Sequence, residues 1–458
     1  MTNTDWKNSK LHSIHYTARS PWRWVVKKAI EKFKSNKAST NTYVEEVIGP
    51  KKLPSNERFS SVSSANPRQP CTLRMEFISS SNDSSVKIRG AHGISNTLQN
   101  LEDKDEFARV LSRWTCENIC PLTLLLPWDA ADGGLHQAES QQKWNLFCLQ
   151  IRAKFPQISD NLSLQKNSGC LVLKAALGSQ GDGIYFLDSL NEICNILKQH
   201  KKRALEEKGF LESLYNYKGR IPCWVLQAEI YPPLLLQEGK KFHLRSYILI
   251  IESPTNSNED HASDKSFSMC KSYVYHHHEV RIASEPVQKE TKPADCQNES
   301  KPLPSLRNRK AYITNGAGSD STQRCLLHQT PELKSLNLGS KLEKFLAKLF
   351  SIDLLPEINL QLKKSKSTYL PITKFAIAGV DVMMDANGQL FVLEVNVNPA
   401  APPENVLDKS FHDHLIEFMH SLIQALAFET NNDKDTNSEL CFPSAFIPLS
   451  NILSDASN

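Results

Sequence analysis

The stretch Phe375 to Pro399, FAIAGVDVMMDANGQLFVLEVNVNP, constrains this chain more than any other. Asn387-Gly388 stands between two runs of Val, Phe, Leu and Met, the strongest short-range signal for a β-hairpin with a type I′ turn. With those two residues as the turn, paired positions add to 775, which sets Asp381 opposite Glu394. Side chains alternate faces along a strand, so Asn396 shares a face with Glu394. Val380, Val382, Met384, Phe391, Leu393, Val395 and Val397 fall on the other face as an apolar underside. Two opposed carboxylates need a cation or a basic side chain between them. Oxygen donors of this type suit magnesium held jointly with phosphates. Ion pairing of the two acids with Lys or Arg on a solvated strand is the competing reading.

The 458 residues allow roughly two to three domains. A net charge of only +4 excludes a nucleic-acid footprint spread over the whole surface, so no nucleic-acid partner is expected. The 11 cysteines are scattered without a CxxC pair, which reads as reduced thiols in a reducing compartment. No apolar run is long enough to cross a bilayer, and the polar start MTNTDWKNSK is no secretory signal. The expectation is a cytoplasmic protein without a membrane partner; the basic first forty residues leave an organelle transit peptide as the alternative.

Along the chain, Trp22, Val25, Val26, Ala29, Ile30 and Phe33 recur at helical intervals, predicting an amphipathic helix within 1–35 that packs into a core. Residues 36–102 read mostly as linker, and 103–168 as a preceding subdomain of helix, apolar strand and helix. A core follows over 169–428. It opens with a strand at Leu171–Lys174, a Gly-rich loop, a strand at Ile184–Phe186 and a helix from Ser189. Strands at Cys223–Ile230, Phe242–Ile251 and KSYVYHHHEVRIA come next, then helices over 341–355 and 411–428. Residues 253–271 and 285–309 read as mobile insertions, and 429–458 as a frayed polar tail. The fold class is α+β, with mostly antiparallel sheets flanked by helices. His276, His277 and His278 are consecutive and cannot all face one metal from a strand, so they read as a partly exposed strand.

Several segments carry chemistry-bearing residues. Lys174 ends a strand before glycines at 178, 181 and 183, where a Gly-rich backbone and an ammonium suit phosphates; a plain hairpin loop is the alternative. Gln227-Ala228-Glu229-Ile230 closes a strand that could offer backbone groups to an adenine ring, though by itself a buried strand end is the better reading. Arg245 and Arg281 stand on successive strands and could bind phosphate or carboxylate bidentately, though ordinary surface Arg is the commoner case.

The order of these features resembles an ATP-grasp fold and, more narrowly, the tubulin–tyrosine ligase family. VLKAALGSQGDGI is similar to that family's lysine and glycine loop. VLQAEIYPPLLLQEGKKFHLRSYILI resembles its hinge and "KFD-hydrophobic-R" strand, VRIASEP its next Arg strand, and ITN its "LTN" signature. GVDVMMDANGQLFVLEVNVNPA is similar to its "GFD … LEVN … P" metal hairpin. The resemblance covers about Gly169 to Leu426. It implies ATP and Mg2+ as cofactors. Lys174, Gly181, Gly183 and Asn315 would lie by the phosphates, Gln227 and Ile230 by the adenine, and His243 at a further nucleotide contact. Arg245 and Arg281 would stabilise the acyl-phosphate, and Asp381, Glu394 and Asn396 would hold the metal. His243 departs from the family's Asp, and Ala228 from its usual Lys or Arg.

The implied activity is an ATP-dependent ligase forming an amide between a protein carboxylate and a free amino acid, with a tubulin tail as partner and the cytoskeleton as its place of work. The short, non-basic stretch after Glu429 tilts the expectation toward a compact, tyrosine-ligase-like enzyme. A catalytically impaired nucleotide- or tubulin-binding member and a small-metabolite ligase are the alternatives.

Overall fold

The computed structural model describes residues 9–16, 22–35, 45–48, 73–79, 89–90, 98, 101–113, 119–131, 137–156, 169–177, 183–206, 221–253, 269–287, 309–314, 323–364, 374–397, 399, 401–402, 404, 407–429 and 444–455. Within that set the chain is α+β, with largely antiparallel sheets flanked by helices. β1 (Ser9–Tyr16) pairs in parallel with β2 (Glu45–Ile48) and antiparallel with β3 (Leu73–Ser79). Both partner strands lie in the stretch that reads as linker. β4 (Arg89–Gly90) lies beside β13 (Lys374–Met384).

A four-stranded sheet has the order β5-β8-β6-β7, from β5 (Thr123–Leu126), β6 (Leu171–Ala175), β7 (Ile184–Leu187) and β8 (Trp224–Ala228). Strand alternation gives it two unlike faces. Leu171, Leu173, Trp224 and Leu226 pack against Trp144, Ile151, Ile193 and Leu197 of the helices Gln137–Lys154 and Leu190–Glu206. Val172, Lys174, Ile184, Phe186 and Gln227 line a cleft on the other side.

The larger sheet is built around β9 (Phe242–Ser253). One edge of β9 pairs with β13, which pairs in turn with β14 (Leu390–Val397). The other edge meets β10 (Met269–Tyr275) and then β11 (Glu279–Ile282), laid end to end. β12 (Gln323–Leu326) follows β11, and β15 (Phe446–Pro448) follows β10. The single strand expected through the three histidines is thus broken by them. Val274 faces Ile248 and Glu279 faces Arg245, so the four residues Tyr275–His278 stand against Ser246 and Tyr247, an excess of two over β9. His278 turns inward, with Nδ1 3.0 Å from the Ser246 hydroxyl.

Leu244, Ile248, Ile250, Val280, Val380 and Val382 pack under the helices Leu338–Lys348 and Leu355–Lys364. On the opposite face Tyr247, Leu249 and Ile251 meet Trp22, Val25, Val26, Leu415, Phe418 and Leu422. These last come from the helix Arg23–Ser35 with its preceding Trp22, and from the helix Lys409–Glu429. Each such side chain contributes about 1.5–3 kcal/mol on burial. The N-terminal helix is therefore core, as its periodicity predicts. Trp24 Nε1 also donates to the Pro402 carbonyl at 3.0 Å, tying this helix to the segment after β14.

The tail is not wholly frayed. Phe446 and Leu449 are buried where β15 and the helix Leu449–Asp455 return to β10, a consequence of the apolar run AFIPLSNIL. The insertions expected at 253–271 and 285–309 lie largely outside the described residues; Ser253 ends β9 and Met269 begins β10.

Candidate active site

Gly388 alone takes the left-handed conformation, at φ +86°, and Asn387 does not, so the hairpin turn is not type I′. Ala386, Asn387 and Gly388 make a three-residue loop, closed by Gly388 N–H to the Asp385 carbonyl at 3.1 Å and Asp385 N–H to the Gln389 carbonyl at 3.0 Å. Asp385 Oδ1 accepts from the Asn387 and Gln389 amides. Pairs near the turn are shifted by one from the expected register: Met384 faces Leu390 and Val382 faces Val392. A bulge at Leu393 restores it, and Asp381 faces Glu394 as predicted. The shift also corrects the faces. Leu390 and Val392 enter the core, whereas Phe391 and Leu393 do not, and Leu393 lines the cleft beside Met383.

Register carries the charges across the sheet. Glu394 faces Asp381, Asp381 faces Arg245, and Arg245 faces Glu279. Arg245 Nη2 donates to Asp381 Oδ2 at 2.7 Å while its Nε grips Oδ1. Asp381 is fully buried; burial alone would raise its carboxyl, but Arg245 and then His243 hold it well below the usual carboxylate range. Breaking such a pair costs about 3–5 kcal/mol because a buried charge is left behind. Asn396 Nδ2 lies 3.3 Å from Asp381 Oδ2 and 3.1 Å from Glu394 Oε1, tying the two carboxylates together. Gly379 gives Arg245 its room: a Cβ there would stand 2.9 Å from Nη1 and 3.0 Å from Pro399 Cβ. Arg281 Nη2 bonds Glu279 at 3.1 Å, and the Tyr247 hydroxyl donates to the same carboxylate at 2.6 Å.

The cleft encloses roughly 730 Å³, part of it open to solvent, between facing sides of the two sheets that mix apolar and charged residues. Lys174, Gln227, Ala228, Glu229, Ile230, Lys241, His243, Thr314, Asp381 and Glu394 are among the residues on its walls. At one end Gln227 is buried; its Nε2 bonds Thr123 Oγ1 at 2.9 Å, but Oε1 has no hydrogen-bond partner among the described residues. A buried acceptor without a donor costs about 1–3 kcal/mol. Lys241 pairs with Glu229 and lies 4.2 Å from the centre of the Tyr312 ring. Burial would raise Glu229, but Lys241 holds it below its ordinary value. At the other end, burial pushes Lys174 down to about 8 against the pull of Glu394. Lys104 stands 3.4 Å from Glu394 Oε2.

Lys174, Gln227, Ile230, His243, Asp381 and Glu394 are thus brought to one cleft, with Asn396 adjoining the carboxylates. Gly183 closes the glycine loop at φ +70°, its carbonyl accepting from Ala175 N–H at 2.8 Å. Gly181 and Asn315 lie outside the described residues. Arg245 and Arg281 sit behind the cleft wall, each engaged by a carboxylate. Burial lowers His243 below its ordinary value more than Asp381 raises it, and its Nδ1 is hydrogen-bonded with Thr314 Oγ1. Lys241 and Lys104 were not foreseen. Alternation along β9 places Lys241 on the face of His243 and Arg245, a usable signal. Lys104 belongs to the helix Lys104–Arg113, far away in sequence, and carries none.

The donor set fits magnesium: Asp381, Glu394 and Asn396 are hard oxygen-bearing groups, two of them on the cleft wall, and the remaining ligands would be phosphate and water. A cleft between two antiparallel sheets, with a lysine at one wall and a carboxylate hairpin at the other, defines an ATP-grasp-like protein. Residues 134–433, about two thirds of the chain, match the Tubulin-tyrosine ligase family, and the chain belongs to it. It is also 23% identical over 267 residues to tubulin glycylase 3F of Tetrahymena thermophila, covering 57% of this chain and 25% of that protein. The chain thus matches about a quarter of that relative's length. No helix among the described residues is long and apolar enough to cross a membrane.

Proposed function

We propose that this chain is an ATP-dependent ligase that joins an amino acid to a carboxylate on a protein tail, with tubulin's acidic tail the first candidate. Membership of a family of tubulin-modifying ligases supports the reading, and the cleft carries it: an unsatisfied Gln227 acceptor at one end, Lys174 with two carboxylates at the other. The adenine would lie by Gln227 and Ile230, and the triphosphate would run toward Lys174, Lys104 and Glu394. When bound at Asp381, Glu394 and Asn396, magnesium would supply charge neutralisation for the β- and γ-phosphates. The acceptor carboxylate attacks the γ-phosphate, ADP leaves, and the amine displaces phosphate from the acyl-phosphate. Arg245 positions Asp381, and Arg281 adds positive field behind the transferring group. The likeness to a glycylase makes glycine the first amino acid to try.

ADP release is the test, with magnesium, ATP, brain tubulin and single amino acids. Release that needs tubulin and one amino acid, and vanishes in Glu394→Gln, supports the ligase. Release without protein acceptor indicates a metabolite ligase. A second reading, nucleotide binding without turnover, is favoured by His243: an imidazole bonded to Thr314 stands where the family carries a carboxylate. It predicts ATP binding with no ADP release under any acceptor.

A further inference from the structure

Beyond His243 the polar face of the large sheet continues away from the cleft. His243 faces Arg281 on β11, and Arg281 faces Arg324 on β12, so the three side chains share one face. Arg324 is half-buried and, among the described residues, has no hydrogen bond, ion pair or aromatic partner. Its neighbours do not balance it. Asp381 is gripped by Arg245, Glu279 is bonded by Arg281 and Tyr247, and an imidazole such as His243 brings no negative charge. Three guanidinium groups therefore share two carboxylates on a largely desolvated surface. Burial and then the Arg281 charge work against the charged form of Arg324, and Glu279 offsets them only in part. An uncompensated cation in such a place is costly unless an anion completes it.

The position selects the anion. Phosphate-binding groups gather around Lys174 and Glu394, on the far side of Asp381. β12 lies three strands from β13, roughly 14 Å at the usual strand spacing. A nucleotide filling the cleft has its triphosphate end there, and the group to be joined lies past it. A guanidinium fork matches a carboxylate in two parallel bonds. We propose that Arg324 anchors a substrate carboxylate, either the α-carboxylate of the incoming amino acid or a side-chain carboxylate of the acidic acceptor. This rests on the ligase reading and assigns that site a specificity-determining residue.

The test compares wild type with Arg324→Leu and Arg324→Lys in ADP release, varying ATP, glycine and tubulin in turn. Loss of a charge-assisted pair predicts a KM raised roughly ten- to hundredfold for one carboxylate substrate in Arg324→Leu, with the ATP KM unchanged. Arg324→Lys recovers part of it. A glycine KM that moves alone identifies the α-carboxylate, and a tubulin KM that moves alone identifies the acceptor. Unchanged KM values for both, or an ATP KM that rises in step, overturns the proposal, as does a loss that follows a lowered melting temperature. If wild type gives no turnover with any single amino acid, the ligase reading has failed and equilibrium binding decides about Arg324. The probes are glycine and a glutamate-rich decapeptide blocked at both ends, added to protein carrying a non-hydrolysable ATP analogue. Binding of either that is lost in Arg324→Leu upholds the carboxylate site; equal or absent binding overturns it.

Discussion

Gly379→Ala tests how tightly the site is assembled. The new Cβ would lie 2.9 Å from Arg245 Nη1, 3.0 Å from Arg245 Cδ and 3.0 Å from Pro399 Cβ, where ordinary contact begins at 3.4 Å. An exposed arginine would swing aside at little cost. Arg245 is 4% exposed and held through Nε and Nη2 by a fully buried Asp381, so it yields only by straining that pair or the backbone. Overpacking of this kind costs about 1–3 kcal/mol. The melting temperature should then fall by roughly 2–3 °C for a cost near 2 kcal/mol in a unit of this size. A shift of a few tenths of an ångström at Asp381 should also slow turnover roughly tenfold. Gly388→Ala is the control. Nothing lies within 4 Å of its Cβ, and only its φ of +86° is unfavourable, so it should cost about 1 kcal/mol and leave turnover alone. The assays are thermal unfolding and ADP release. Wild-type melting and wild-type turnover in Gly379→Ala would refute the picture of a clamped Arg245.

Other outcomes follow from the same geometry. Lys174 sits near 8 rather than 10.5, so its ammonium is lost as pH rises through 8. ATP affinity of the free protein should fall above that pH by up to about tenfold per unit, and be flat in Lys174→Met. The linked stability has the opposite sign: the desolvated ammonium is a burden below pH 8 that is relieved as pH rises from about 8 toward 10.5. Lys241→Met strands a buried Glu229 and should cost about 3–5 kcal/mol in chemical unfolding, with Lys241→Met/Glu229→Gln recovering most of it. His243→Asp places a carboxylate where His243 Nε2 now lies 3.5 Å from Asp381 Oδ1. It should lower the melting temperature without magnesium and restore it with magnesium, and an equal drop in both conditions would count against a metal at this hairpin.

Period-two patterning was enough to place Asp381 against Glu394, but by two deviations that cancel. The turn holds three residues rather than two, and the bulge at Leu393 absorbs the difference. Both are backbone choices made by packing: Leu390 and Val392 reach the core only if the register slips, and the carboxylates meet only if it slips back. The helical stripe of Trp22, Val25 and Val26 was equally legible, since burial against a helix follows directly from spacing. The three histidines were not, because KSYVYHHHEVRIA has strand character throughout and a bulge leaves no mark in such a run. Nor could sequence foretell that Arg245 and Arg281 are engaged by Asp381 and Glu279 behind the cleft, or that Lys104 reaches Glu394. Those contacts join residues far apart in the chain and exist only once both sheets are built.

The most direct measurement is ATP binding by calorimetry with magnesium and with EDTA, in wild type and in Glu394→Gln. A hairpin that holds metal with nucleotide predicts wild-type affinity at least about tenfold tighter with magnesium, and little difference in the variant. Equal affinity with magnesium and with EDTA in wild type would contradict the assignment of Asp381, Glu394 and Asn396 as the metal-holding end of the cleft.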